Sequence, residues 1–260
     1  MQIMMIGDLV GSTGRRILKE KLPELKKRHG IDLCLANGEN AAAGLGLTPR
    51  LAQEITAMGV DLITLGNHTW FRRELVERID TLPQVIRPAN GPASWPGRGF
   101  KVVNHPAGKV LVANLLGRVF MEPLHDPFTT MDQVLQQTRQ DLQVPLAVVD
   151  FHAEATAEKM ALGYYLNGRV TAVLGTHTHV QTADERILDR GTAYITDIGM
   201  TGPVEGVIGM DPASSLRRLV DHLPAPYEAA GGKGQFSAVV ITADPATGRA
   251  TAIERILIRE

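Results

Sequence analysis

Five short apolar runs in this chain stop abruptly at residue types that bind metals. Ile3-Met4-Met5-Ile6-Gly7 stops at Asp8, and Leu33-Cys34-Leu35-Ala36 stops at Asn37-Gly38-Glu39-Asn40. Leu62-Ile63-Thr64-Leu65-Gly66 stops at Asn67-His68. Leu146-Ala147-Val148-Val149 stops at Asp150-Phe151-His152, and Ala172-Val173-Leu174-Gly175-Thr176 stops at His177-Thr178-His179. Runs of this length bounded by Gly or polar residues read as buried strands. Ligands of open α/β sheets gather just beyond the carboxyl ends of the strands. Residues distant in sequence are therefore expected to meet at one sheet edge, which points to a metal site and to hydrolytic chemistry.

The segments between the runs set the fold class. Strands are predicted over 2–7, 32–36 and 61–65, with helices over 13–29, 48–58 and 72–80. Ile17, Leu18, Leu22 and Leu25 share one face of the first helix, and Pro23 is expected to kink or divide it. Thr48-Pro49 is a helix-start signal. This βαβαβα order implies a parallel sheet. Residues 83–128 read as loop with β-like pieces at 100–104 and 110–116, leading into a second sheet. A helix over 129–141, a strand over 146–150, a helix over 154–166 and strands over 170–174 and 192–197 follow. Residues 199–235 are rich in Gly and Pro, with a short helix near 213–222. So long a segment reads as a functional loop or an oligomer contact. Strands over 236–242 and 251–258 flank a turn at Asp244-Pro245-Ala246-Thr247-Gly248. The expected architecture is α/β, with two packed β-sheets flanked by helices in one domain over residues 1–260.

Composition narrows the partners. A net charge of −1 gives no global field for DNA or RNA. A small nucleotide stays open, because bound divalent ions would supply local positive charge. The one cysteine, Cys34, lies in an apolar run and reads as a small core residue. No basic segment precedes the first strand, and no apolar stretch approaches the roughly 20 residues that span a bilayer. The expectation is a cytoplasmic protein with no membrane contact.

The strand-end ligand candidates are Asp8, Glu39, Asn40, Asn67, His152, His177 and His179. None is a thiolate, which argues against a structural zinc site. Mixed oxygen and nitrogen donors suit Fe, Mn, Zn, Ni or Co. This set exceeds what one ion needs, whereas two ions sharing a carboxylate use it fully. Ions about 3.5–4 Å apart suit phosphoester cleavage, in which a bridging hydroxide attacks phosphorus. His68 adjoins Asn67 and is placed to give a proton to the leaving oxygen. Strand alternation would put His177 and His179 on one side.

Taken singly, each candidate has a plainer reading. Asp8 could cap a helix, Glu39-Asn40 is ambiguous, and a lone His152 is more often a hydrogen-bonded core histidine. Arg15, Arg16, Arg72 and Arg73 could touch phosphate, although a solvated helix face is the more ordinary role. His29, His105, His125 and His222 read as surface residues. Gly7, Gly11, Gly38 and Gly66 permit tight backbone near the ions. Gly44-Leu45-Gly46-Leu47 reads as a mobile loop, and its spacing fits no phosphate-binding fingerprint.

The order of Asp8, Glu39, Gly66-Asn67-His68, His152 and Gly175-Thr176-His177-Thr178-His179 resembles the calcineurin-like metallophosphoesterase superfamily. Three departures stand out. Val10 occupies the position of a family His, Gly38-Glu39-Asn40 replaces a Gly-Asp motif, and Thr69 follows Gly66-Asn67-His68. With Gly7-Asp8-Leu9-Val10-Gly11, Ala36-Asn37-Gly38-Glu39-Asn40-Ala41-Ala42 and Thr196-Asp197-Ile198-Gly199-Met200-Thr201-Gly202, they resemble the YmdB-like branch over essentially the whole chain.

The resemblance implies an αββα sandwich and a dinuclear site, with iron the first choice and Mn or Zn the alternatives. It implies phosphodiesterase activity on small phosphodiesters such as cyclic nucleotides. One ion would take Asp8, Glu39, Asn40 and His179. The other would take Glu39, Asn67, His152 and His177, with Glu39 bridging and His68 as proton donor. Asn40 would compensate for the imidazole missing at Val10. Three rival readings remain: a phosphomonoesterase with the same site, a regulatory binding protein that recruits a partner through 199–235 or the second sheet, and a metallohydrolase of carboxylic esters or amides. The long Gly/Pro-rich segment also suggests a homo-oligomer.

Overall fold

A computed structural model describes residues 1–142 and 144–260, with side chains described throughout except at 139–142. The N-terminal half runs β1 (Gln2–Ile6), β2 (Asp8–Leu9), α1 (Gly11–His29), β3 (Leu33–Asn37), α2 (Pro49–Ala57), β4 (Leu62–Thr64) and α3 (Arg73–Arg78). Then come β5 (Phe100–His105), β6 (Gly108–Leu116), α4 (Pro127–Leu142), β7 (Leu146–His152), α5 (Thr156–Tyr165) and β8 (Ala172–Thr176). The chain closes with β9 (Arg186–Ile187), β10 (Ala193–Ile195), β11 (Met200–Pro203), α6 (Pro212–Leu219), β12 (Gly234–Ala243) and β13 (Ala250–Arg259). These strands form two sheets with helices on both outer faces, the expected αββα sandwich.

The first sheet has the order β2-β11-β12-β1-β3-β4, with β13 on β12, and the second has the order β5-β6-β7-β8-β10-β9. β1, β3 and β4 are parallel as expected, but β12 runs antiparallel to β1, so the sheet is mixed. The Gly/Pro-rich stretch holds a strand the sequence does not announce. β11 pairs with both β2 and β12 through Met-Thr-Gly-Pro, a segment whose strand character comes from its neighbours. Pro23 does not divide α1, which continues unbroken through it. Pro23 is exposed, so the carbonyl it frees can be met by water, while Ile17, Leu18, Leu22 and Leu25 hold the helix to the sheet. Thr48 caps α2 as expected, accepting from the Leu51 N–H at 3.3 Å.

Strand alternation divides the core into three layers. Met4, Ile6, Cys34 and Ala36 face α1 and α2, while Ile3, Met5, Leu33 and Leu35 face the second sheet. Val110, Val112, Leu146, Val148, Ala172 and Leu174 complete that inner layer, and Leu111, Val149 and Phe151 pack on α4 and α5. The same alternation continues one step past the apolar residues. Asn37, Thr64, Asn114, Asp150, His152 and Thr176 have the parity of the inner layer and are all buried. They form a polar lid over the apolar core at the carboxyl ends of the strands, and the candidate site rests on it.

Candidate metal centre

The polar lid is a connected network around Asp150. Its carboxylate accepts from Asn37 Nδ2 at 3.1 Å, Thr64 Oγ1 at 2.5 Å and Thr176 Oγ1 at 2.7 Å. Burial raises this carboxyl to about 6, although His152, Thr64 and Thr176 all favour its charged form. The network fixes a tautomer. Thr176 spends its hydroxyl proton on Asp150, so its oxygen accepts from His152 Nδ1 at 2.9 Å. His152 Nε2 is then the nitrogen left with a lone pair.

The other two candidate histidines repeat this arrangement with different partners. His179 Nδ1 donates to the Ile208 carbonyl at 2.8 Å, which turns Nε2 inward. His177 Nε2 lies 3.0 Å from Glu154 Oε2, which turns Nδ1 inward. His177 Nδ1 and His152 Nε2 stand 3.0 Å apart. One donor atom each from Glu39, His152 and His177 falls within 4.8 Å of the others. Outer acceptors that orient inner nitrogens are the usual support of metal-binding imidazoles.

The carboxylates complete the set. Glu39 Oε1 is 3.2 Å from His152 Nε2 and 3.1 Å from His68 Nδ1, and Glu39 Oε2 accepts from the His68 N–H at 2.9 Å. Asp8 Oδ1 is buried with no hydrogen-bond partner, 3.8 Å from His152 Nδ1 and 4.0 Å from His179 Nε2. Asn67 Oδ1 lies 3.0 Å from His152 Nε2. Asn40 approaches His179 at 3.1 Å, while Asp8 lies near both His179 and His152, so the candidate side chains gather around Glu39 and His152.

The electrostatics call for cations. Burial pushes the Asp8 carboxyl up, against the pull of His179 and His152. Burial acts the same way on Glu39, yet His152 and His68 hold it well below the ordinary carboxylate range. Burial opposes a charged His152, but Glu39 and Asp8 raise it to about 9. Burial and the neighbouring His152 then push His177 down to about 3. A proton on His152 is what this cluster uses when nothing else neutralises its carboxylates, and metal ions would displace it. The orphaned Asp8 oxygen, the inward nitrogens and the all-O/N donor set fit a pair of such ions.

Several placements differ from the sequence expectation. Strand alternation does not orient His177 and His179, because β8 ends at Thr176. Both lie in a turn with positive φ, +100° and +66°, which is strained for residues bearing a Cβ. The turn is held from below. Asp197 Oδ2 accepts from the Thr178 N–H at 3.0 Å and its hydroxyl at 2.7 Å, and from Lys159 Nζ at 2.8 Å. Lys159 and Asp197 are both buried. Asn40 presents its amide nitrogen to His179 Nε2 at 3.1 Å and its oxygen to His68 Nδ1 at 2.7 Å. Binding an ion beside Asp8 would need the amide turned over.

Arg15 and Arg72 do not lie on a solvated helix face. Arg15 donates to the Ala41 carbonyl at 2.5 Å, and Arg72 donates to the Leu45 and Ala42 carbonyls at 2.8 and 2.6 Å. Together they anchor the Gly44–Leu47 loop. Arg16 and Arg73 face solvent as expected, paired with Glu260 and Glu77. A Cβ at Gly66 would meet Glu39 Oε2 at 2.3 Å and His152 Nε2 at 2.4 Å, so the two side chains would have to shift to admit it.

Sequence reasoning missed Glu154, Lys159 and the part of Asp150 that orients His152. A charged lysine on an otherwise core-facing side of α5 was the one local signal.

The sequence profile of the family described as "YmdB-like protein" matches residues 4–256. The chain is 48% identical over 260 residues to the 2′,3′-cyclic-nucleotide 2′-phosphodiesterase of Bacillus subtilis (strain 168), covering 100% of this chain and 98% of that protein. A crystal structure of a hypothetical protein from Thermus thermophilus superposes with a TM-score of 0.93 at 41% identity, covering 100% of both chains. A crystal structure described as a novel phosphatase, from Mycoplasma pneumoniae, gives a TM-score of 0.92 at 34% identity over 100% of this chain and 93% of that one.

Proposed function

The chain belongs to the YmdB-like protein family, and from that premise we propose that residues 1–260 form one metal-dependent phosphodiesterase domain acting on 2′,3′-cyclic nucleotides. The observation that carries the reading is the common orientation of His152, His177 and His179. Each is held by an outer acceptor so that its other nitrogen faces Glu39 or the orphaned oxygen of Asp8.

Two ions would be held by Asp8, Glu39, Asn40 and His179 on one side and by Glu39, Asn67, His152 and His177 on the other. When bound, they supply positive charge that activates water and offsets charge on the phosphate oxygens. Iron is our first choice and Mn or Zn the alternatives, because the donors are carboxylate, amide and imidazole without thiolate.

The chain's own part in the reaction falls to His68. Its Nδ1 faces Glu39 Oε1 at 3.1 Å, so this nitrogen carries a proton whichever way the Asn40 amide is turned, and Nε2 is the one that can serve the substrate. As water adds to phosphorus and the P–O2′ bond breaks, the protonated His68 gives its Nε2 proton to the departing 2′-oxygen. The 3′-phosphate remains on the product.

Elemental analysis of protein purified without chelator, with chromatography of products from adenosine 2′,3′-cyclic phosphate, tests the reading. We expect close to two ions per chain and metal-dependent release of the 3′-nucleotide. Absence of turnover after Mn or Fe is restored would sink it. Faster turnover of a mono- than a bis-nitrophenyl ester would favour the phosphomonoesterase alternative.

No helix among the described residues is long and apolar enough to cross a membrane. We propose that the protein is cytoplasmic. Leu216, Leu219 and Val220 are exposed on and just after α6, which supports a homo-oligomer or a regulatory partner at that surface. Light scattering on the L216E/L219E double variant would show a smaller particle if this face joins copies of the chain.

A further inference from the structure

Beside the metal centre lies a cavity of about 550 Å³ whose wall includes Asn67 and His177 together with Phe71, Phe120 and Met121. Two of these side chains are unusual. Phe71 is 58% exposed and Phe120 is 89% exposed, at a site where polar phosphate chemistry alone would call for neither. Phe71 packs edge-on against the His68 ring, with centroids 4.9 Å apart. Phe120 has φ +61°, a backbone conformation costly for a bulky residue.

The exposure of Phe120 is built in. Gly117 at the base of its loop donates to the carbonyl of His152 at 2.9 Å. The Glu158 carboxylate accepts from the Arg118 N–H at 3.0 Å and the Val119 N–H at 3.2 Å. Arg118 is paired with Asp126, and the Met121 N–H returns to the Arg118 carbonyl at 3.3 Å. A strained residue that the surrounding contacts hold in place, with its ring in solvent, is the kind of outlier from which a functional role is inferred. The ligand that suits two exposed aromatic rings beside a phosphate-cleaving centre is flat, aromatic and uncharged.

We propose that Phe71 and Phe120 form a nucleobase subsite that holds the base of the substrate while its phosphate lies at the metal centre. The proposal deepens the phosphodiesterase reading and rests on it for the placement of the phosphate. Stacking of a base on a protein aromatic ring corresponds to roughly 5- to 150-fold in affinity. Loss of one of the two rings should therefore lower the preference for a base-bearing substrate by about tenfold.

The test compares kcat/KM for adenosine 2′,3′-cyclic phosphate with that for ribose 2,3-cyclic phosphate, which lacks the base. It uses the wild-type protein and the variants Phe120→Leu and Phe120→Tyr. A second readout, independent of turnover, is saturation-transfer NMR of adenosine with each protein. Wild type is expected to prefer the base-bearing substrate and to saturate the adenine H2 and H8 protons. Phe120→Leu should lose most of both effects, and Phe120→Tyr, which keeps the ring, should restore them.

An unchanged preference and unchanged saturation in Phe120→Leu would overturn the subsite while leaving the phosphodiesterase reading intact. The same result with a smaller particle by light scattering would assign Phe120 to a contact between copies of the chain instead. If wild type turned over neither substrate, the phosphodiesterase reading would fall and the adenosine saturation would decide the subsite alone. Saturation lost in Phe120→Leu would support it, and saturation absent from wild type or kept in the variant would overturn it.

Discussion

Lys159→Met tests whether a buried ion pair holds the strained histidine turn. Lys159 Nζ reaches Asp197 Oδ2 at 2.8 Å, with both side chains almost wholly removed from solvent. Removing one partner of a buried pair costs about 3–5 kcal/mol, because the other charge stays buried without it. Asp197 would keep three neutral donors, the Thr178 N–H, the Thr178 hydroxyl and the Gly199 N–H. The lower end of the range, about 3 kcal/mol, is therefore expected. Met matches the length of the lysine stem, so little packing is lost.

The assay is urea denaturation of metal-stripped wild type and variant, since bound ions would add their own stabilisation. Adding Asp197→Asn in the Lys159→Met background removes the unpaired charge and keeps an acceptor for Thr178. The double variant should recover about 1–2 kcal/mol of the loss. Because Asp197 also holds Thr178 between His177 and His179, metal affinity by chelator competition should fall about 10- to 100-fold in Lys159→Met. A stability loss below about 1 kcal/mol with metal affinity unchanged would refute the clamp.

Other predictions address the centre directly. His68→Ala should retain its metal content and lose about 10²- to 10⁴-fold in kcat on a cyclic nucleotide, but far less on bis-nitrophenyl phosphate, whose leaving group needs no proton. Equal losses on both substrates would remove His68 from the proton step. Glu39→Ala should lose both ions together by elemental analysis, and full retention of either ion would argue against bridging. Gly66→Ala would force a Cβ to 2.3 Å from Glu39 Oε2. It should fold, by circular dichroism, yet bind metal poorly, and wild-type metal content in that variant would show that the Glu39 and His152 side chains can move aside.

Much of the architecture is legible in the residues because strands buried on both faces write themselves as apolar runs. The runs ending at Asp8, Glu39, Asn67, His152 and His177 mark the carboxyl edges of the sheets, and the structure brings those residues together. β11 is different. Met200–Pro203 has no strand pattern of its own and pairs because β2 and β12 offer it partners on both sides. Pro23 shows the converse, a local breaker overruled by the packing of Leu22 and Leu25 on the sheet.

The local chain thus decided which residue types stand at each strand end, because backbone propensity and alternation act over neighbours a few positions apart. Which nitrogen of each histidine faces inward was settled only by tertiary contacts. His152 depends on Thr176 and Asp150, His177 on Glu154, and His179 on the carbonyl of Ile208. The grip on Thr178 likewise comes from Asp197 and, through it, Lys159 on α5. These partners lie tens of residues apart or across a turn, and no local periodicity encodes them. His152 and Thr176 meet because the parallel register of β7 and β8 sets them side by side, and the partners of His177 and His179 are brought in by loops that only the folded chain places there.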